Sequence, residues 1–440
     1  MTMGIKATAI APPTTMQSPT GHRGAIVGAC IGNLLEWYDF TVYALFATYI
    51  ANSFFPSHDP SAALVKTFLT FGAGFVIRPI GAALIGAYGD RAGRKAALML
   101  TIWIMAAGTL LIAAVPDYAT IGVAAPWLLL LGRLLQGFSA GGEIGSASAF
   151  LAESAPAGAR GRMAAWQEAT MGMSNILGAL VAFTVATILS PAQLQHWGWR
   201  VPFIVGLLIA PAGLLLRRSV RETAEFESAR TRHRSVTPLR SAFGEHGAAL
   251  LVGFGLSIPW AVAVYVLNIY TPVYVQHAFG FTAQQAFAAS LIGNVFFVLT
   301  CLAAGWLSDR LGRSTVLTVG VLALLTAVLP LYLWLQARPE AFVLIIVQSC
   351  FCIMVATFVG VAPAALADLF PTSVRATGIS LVYNGAFVVF GGFAPAILTW
   401  FTQQAQGSAM APAGYVMCAA LIGLATVPFF KRSCRRENLR

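Results

Sequence analysis

The feature that limits this chain most is a succession of apolar stretches, each about as long as a bilayer is thick, running from residue 24 to residue 430. A hydrocarbon core of about 30 Å takes roughly 20 helical residues to cross. Inside it the backbone must satisfy its own hydrogen bonds, which leaves only helices or closed barrels. Runs of this length without strict alternation predict helices. The expected spans are 24–51, 63–88, 97–115, 121–152, 163–189, 199–216, 247–275, 283–307, 315–335, 341–367, 376–402 and 412–430. Composition agrees: 58% of the residues are hydrophobic and 10% charged, against about 25% charged in soluble domains. A secreted disulfide scaffold, a disordered tail and an ordinary soluble enzyme are excluded. The expected fold is an all-α membrane protein of twelve transmembrane helices.

The net charge of +11 is distributed by topology. The N-terminus, the even-numbered loops and the C-terminal tail carry 22 of the 27 Lys and Arg residues, whereas the odd-numbered loops carry only Arg200 and Arg338. By the positive-inside rule both termini are cytoplasmic, in an inner (cytoplasmic) membrane. The basic loops favour anionic lipid headgroups rather than nucleic acid. Residues 1–23 form an N-terminal tail without a cleavable signal, 24–216 a first six-helix bundle, 217–246 a basic linker, 247–430 a second bundle and 431–440 a C-terminal tail. The tail leaves no room for a signalling domain.

The two halves repeat each other. Gly86-x-x-x-Asp90-Arg91-x-Gly93-Arg94 returns 219 residues later as Gly305-x-x-x-Asp309-Arg310-x-Gly312-Arg313. Glu153-x-x-Pro156-x-x-x-Arg160 returns 215 residues later as Asp368-x-x-Pro371-x-x-x-Arg375. Parallel repeats of six spans imply two bundles with a central site between them. These motifs resemble the signature of the major facilitator superfamily. Gly32–Phe40, Arg78-Pro79-Ile80-Gly81 and Gly132–Gly137 resemble its metabolite:proton symporters. Phe46–Ala51 and Gly108–Gly122 look most like the citrate and tricarballylate carriers of that family. Trp37-Tyr38 stands where those carriers have Gln-Phe, and Tyr383-Asn384 is closer to the 2-oxoacid and phthalate members. The resemblance implies a proton symporter with the proton as coupling ion, no other cofactor, and a functional monomer.

Charges inside spans are costly, at least about 2.5–3.5 kcal/mol each, so they must face a partner or a watery cavity. Glu36 and Asp39, three apart on one helix face, fit either proton carriage or a fixed ion pair. Arg78, near mid-membrane, fits a ligand for a substrate carboxylate, or a pair with Glu36 or Asp39. Arg133 matches the span-four arginine tied to proton coupling in this superfamily, and its other reading is helix packing; it is a candidate for substrate as well. Glu143 joins the proton-coupling candidates, beside a Gly137, Gly141, Gly145 ladder that reads as close packing. Glu168 counts as shallow, a gate or lipid-edge residue. The second half offers Tyr265, Asn268, Tyr270, Thr271, Tyr383 and Asn384 for substrate, with Trp166 and Gln167 from span five. By resemblance, Asp90, Arg91, Arg94, Asp309, Arg310 and Arg313 form a cytoplasmic latch with Glu153 and Asp368.

No G-x-S-x-G, H-E-x-x-H or phosphate-binding loop occurs in the chain. No metal is expected. The reading is an importer of citrate or a similar di- or tricarboxylate by proton symport with alternating access. Its rivals are a symporter for phthalate, a 2-oxoacid, shikimate or a zwitterionic osmolyte, and a non-transporting nutrient receptor.

Overall fold

In the computed structural model, residues 19–92, 94–141, 143–156, 158–218, 243–244, 246–372, 374–404 and 410–437 are described. Most of the basic linker therefore lies outside the described residues. Helices are the only regular elements among the described residues. In chain order the twelve spans start with Pro19–Leu45 continued by Ala47–Phe54, then Pro60–Val76 with Arg78–Ala92, then Arg94–Ala114. Ala124–Ala140 with Glu143–Glu153, Arg160–Ile188 and Val201–Arg218 complete the first half. The second half runs Gly247–Phe279, Ala283–Leu311, Arg313–Ala337, Ala341–Leu369, Arg375–Gln404 and Met410–Glu437.

Among the described residues, eight helices are long and apolar enough to cross a membrane, and Met99–Ala114 and Gly198–Pro211 are shorter apolar helices. Spans one and four complete the twelve, each in two helical pieces. Span two is also stepped, because Pro79 has no N–H to return to Phe75 and the helix is interrupted at Ile77.

The same chemistry shapes the second half. Pro272 has no N–H for the carbonyl four residues back, and the turns ahead of it widen into a π-helix over Val264–Tyr270. Thr271 closes that wide turn, its N–H and its hydroxyl both donating to the Val266 carbonyl, the latter at 2.9 Å. In span eleven Pro395 follows a second π-helix, Phe387–Gly392. Two widened spans, seven and eleven, thus face the centre of the molecule.

Within the first half the glycine ladder brings backbones together. A Cβ at Gly137 would lie 1.7 Å from the Gly74 carbonyl oxygen, and one at Gly141 would lie 1.9 Å from that of Arg78. Gly145, one step further, faces the other half, where a Cβ would fall 2.0 Å from Ser380 Oγ. Spans five and eight form the main seam between the halves.

Candidate functional site

Spans one to four bring four charged side chains into the middle of the first half. Arg78 Nη2 donates to Glu36 Oε1 at 2.7 Å, and both side chains are almost excluded from solvent. The guanidinium carbon of Arg78 lies 4.2 Å from the Phe75 ring centre and 4.9 Å from that of Phe40. Arg133 is caged by three rings, with its guanidinium carbon 4.6 Å from Phe40, 4.5 Å from Tyr43 and 4.7 Å from Phe71. Rings at this range hold a desolvated cation through their quadrupoles.

Asp39 and Arg133 are joined through an amide. Arg133 Nη1 donates to Gln136 Oε1 at 2.7 Å, and Gln136 Nε2 donates to Asp39 Oδ2 at 3.1 Å. The Thr109 hydroxyl donates to the same carboxylate oxygen. A cavity of about 20 Å³ beside Asp39 is lined by Thr101, Thr109, Ser139 and Glu143, among others, which is room for one water.

Buried N–H groups nearly always have partners. Arg78 Nε and Arg133 Nε and Nη2 have none, nor do Gln167 Nε2, Trp260 Nε1, the Tyr265 hydroxyl or Asn268 Nδ2. Several of these groups are neighbours. The Tyr265 ring lies 5.3 Å from Phe75 and 6.0 Å from Trp37, so the second half's phenol meets the first half's arginine cluster. Tyr383 stacks on Phe387 at 3.7 Å and meets Trp260 edge-on at 5.0 Å. Gln167 is held by Ser148, whose hydroxyl donates to Oε1 at 2.7 Å. Asn384 Nδ2 reaches the Gly141 carbonyl of the first half at 3.4 Å. Asn268 instead packs inside the second half, its Oδ1 3.4 Å from Cys352 Sγ.

Both ends of the seam are shut. At the end carrying the repeated motifs, Arg375 pairs with Glu153 across the halves at 2.7 Å and Arg160 with Asp368 at 3.7 Å. Arg313 pairs with Asp368 and with Asp309. Asp309 also accepts the backbone N–H groups of Gly161 and Arg162, at 2.7 and 2.9 Å, and so caps the first turn of span five from the other half. At the opposite end Thr48 bonds His277 at 3.0 Å, Gln403 donates to Asp59 at 2.7 Å, and Gln284 donates to the Ala186 carbonyl at 2.8 Å. The site is occluded.

Two expectations are corrected. Glu168 is not a lipid-edge residue: it is 2% exposed and faces the second half, because its rotation about the helix matters more than its depth. Arg310 lies over its own helix's Trp306 ring at 3.9 Å and enters none of the described ion pairs. The side chains of Asp90, Arg91 and Arg94 lie outside the described residues. Sequence reasoning missed Thr109, Gln136 and Trp260 at the site and Arg160 and Arg375 at the latch. Gln136, Arg160 and Arg375 sat inside motifs already recognised.

Comparison with known proteins places this geometry in a family. The model described as sugar (and other) transporter matches residues 25–237 and again 227–437, once for each half. A citrate-proton symporter of Salmonella typhi is 39% identical over 429 residues, 97% of this chain and 98% of that protein. An alpha-ketoglutarate permease of Escherichia coli is 35% identical, over 88% of this chain and 90% of the relative. The partially occluded, inward-open structure of the xylose transporter XylE from E. coli superposes with a TM-score of 0.75 at 18% identity, covering 94% of this chain and 98% of that one. These relatives are transporters rather than enzymes, the fold is the major facilitator fold of the xylose symporter, and the chain belongs to the sugar (and other) transporter family.

Proposed function

We propose that the chain imports citrate, or a similar di- or tricarboxylate, by proton symport with alternating access. The observation that carries this reading is the set of unpartnered buried N–H groups on Arg78 and Arg133 in the first half, behind the Phe71 and Phe75 rings that Tyr265 of the second half meets. A guanidinium edge offers a carboxylate two parallel, charge-assisted hydrogen bonds. Gln167, Tyr265 and the indole of Trp260 add neutral donors to the bound anion, with Tyr383 and Asn384 shaping its other side. Asn268 belongs to this set only if the second half repacks around the substrate. The names of the full-length relatives, citrate-proton symporters among them, support the same substrate class.

Each negative charge moved against an interior-negative potential costs about 2.3 kcal/mol per 100 mV. Protons taken up with the anion remove that cost. Asp39 is the carboxyl placed to carry one: it lies beside a water-sized cavity and reaches Arg133 through Gln136. Glu143 lines the same cavity and is assigned as its relay. Glu36 holds Arg78 while the site is empty and gives it up when a substrate carboxylate takes its place. Bundles 24–216 and 247–430 then rock about the site. Glu153, Asp309, Arg313 and Asp368 latch the cytoplasmic side, with Asp90, Arg91 and Arg94 as the first-half counterparts, and both termini are cytoplasmic.

Labelled citrate uptake into cells expressing the chain tests this, with and without a protonophore and against a panel of carboxylates, shikimate and betaine. Uptake that the protonophore abolishes and tricarboxylates block is the expected result. Absence of citrate uptake from well-expressed protein removes the substrate. The second reading, a 2-oxoacid symporter, is favoured by the alpha-ketoglutarate permease at 35% identity and by Tyr383-Asn384. It predicts that 2-oxoacids outcompete citrate.

A further inference from the structure

One buried acid has no part in the mechanism so far. Glu168 stands on the face Gly161, Ala165, Glu168, Gly172 of span five, whose spacing of four, three and four residues is one side of a helix. That side meets span eight at the closest part of the seam. A Cβ at Gly172 would lie 2.7 Å from the Phe297 ring, and one at Gly305 would lie 2.4 Å from Ala165 Cβ. The carboxyl is thus enclosed between the halves, midway along their tightest contact, and is 2% exposed.

Its surroundings are nearly neutral. Span seven presents the Trp260 indole, whose Nε1 lies beside Glu168 without closing a hydrogen bond of good geometry. Span eight presents the Cys301 thiol and span eleven the Tyr383 phenol. The acid of span one, Glu36, is occupied by Arg78, and Glu153 of span four by Arg375. None of the described ion pairs includes Glu168. A carboxylate enclosed without a cation is strongly unfavourable, whereas the neutral acid is tolerated. Separating spans five and eight would bring water to it and remove that penalty.

We propose that Glu168 is a second proton-carrying residue, loaded before the seam closes over it and unloaded to water when the seam parts at the cytoplasmic side. This rests on the proton-symport reading and deepens it. Asp39 lies inside the first bundle beside Arg133, whereas Glu168 lies between the bundles, so the two protons follow different routes. Closure without a proton on Glu168 buries a bare charge, which ties the rocking step itself to protonation.

The test is labelled citrate accumulation in proteoliposomes with the membrane potential clamped at zero and a pH step of one unit. Each proton carried raises the accumulation limit of the transported anion about tenfold. The wild type is expected to plateau above tenfold, toward the hundredfold limit of two protons, and Glu168→Gln is expected to plateau about tenfold below it. Asp39→Asn alone is expected to plateau about tenfold below the wild type as well, and the double variant another factor of about ten lower. A folded Glu168→Gln protein with the wild-type plateau overturns the proposal. So does a wild-type plateau at or below tenfold, which needs no variant to fold. Absence of any gradient-driven accumulation by the wild type removes the proposed function itself, and this inference with it.

Discussion

Asp309→Asn tests whether the cross-half cap on span five holds the motif end of the seam shut. Its carboxylate accepts the Gly161 and Arg162 N–H groups at 2.7 and 2.9 Å, and Arg313 lies 3.7 Å away. Hydrogen bonds to a charged acceptor are worth about 1.5–3 kcal/mol, against about 1 for neutral ones, and an amide keeps only one acceptor oxygen. Charge at a helix N-terminus adds about 0.3–1 kcal/mol. The Asp309 side chain is only 12% exposed, so solvent screens little of this. A net loss of about 2 kcal/mol shifts the closed-to-open ratio of this end by roughly 30-fold.

Cys301 is a native reporter of that shift, because its fully buried thiol lies beside Glu168 in the seam. With the other cysteines replaced, its maleimide labelling rate is expected to rise about 30-fold in Asp309→Asn, by the same equilibrium arithmetic. Arg310→Ala, which removes a cation that only covers Trp306, is expected to leave the rate unchanged. Labelling of Asp309→Asn within about twofold of the parent would refute the cap as a closing element.

Gly145→Ala is expected to raise Cys301 labelling in the same assay without lowering expression, since its Cβ meets Ser380 only when the halves are shut. Gly137→Ala, whose Cβ would collide with the Gly74 backbone in every state, is expected to abolish folded protein, read by gel filtration. Arg78→Ala removes the cation paired with the buried Glu36 carboxylate and is expected to abolish uptake and cost about 3–5 kcal/mol of stability, read by thermal unfolding in detergent. The Asp59 carboxyl is held below its usual range, first by the Gln403 amide and then by the Ser61 N–H. Its depressed folded value keeps that contact intact above the unfolded carboxyl value and loses it only as pH falls through the folded one. With His277, which bonds Thr48 at this end, replaced by Gln, a distance reporter across it is therefore expected to be flat between pH 5 and 8, and a transition in that window would assign its control to a group other than Asp59.

The spans, the repeat and the charged positions were legible because each is a property of residue type and spacing. A bilayer penalises exposed backbone and charge so strongly that length and composition alone settle the helices. What a side chain touches depends on rotation about its helix, and the sequence carries that only weakly. Glu168 illustrates this, since its depth was countable but the side of span five it occupies was not. Arg310 illustrates a second limit. The motif repeats, but the residue four positions before it does not: Trp306 stands where the first half has Ala87, and the ring covers the arginine. The Gln136 bridge was hidden because an amide between an acid and a guanidinium replaces the direct pair that charge counting expects. The widened turns before Pro272 and Pro395 needed the chain's partner helices, since proline alone predicts a kink as readily as a π-helix.

The contrast between contacts within a half and contacts across the seam explains how one chain can be rigid and mobile together. Inside the first half, spans two and four approach so closely at Gly74, Arg78, Gly137 and Gly141 that no side-chain atom fits between their backbones. Such packing has one arrangement and moves as a block. Across the seam, the closing contacts at the two ends are individually modest and partly wet. The Arg160–Asp368 pair, with side chains 53% and 24% exposed, belongs to a class worth about 0–1 kcal/mol. The ends also differ from each other. The motif end joins the halves by charged groups and a helix cap, whereas the opposite end is joined mainly through amide and hydroxyl contacts. With the centre empty, the end joined mainly by neutral groups is expected to open first, which would present Arg78 to the side away from the motifs. An importer needs that bias, because its empty site must wait for substrate on the outside.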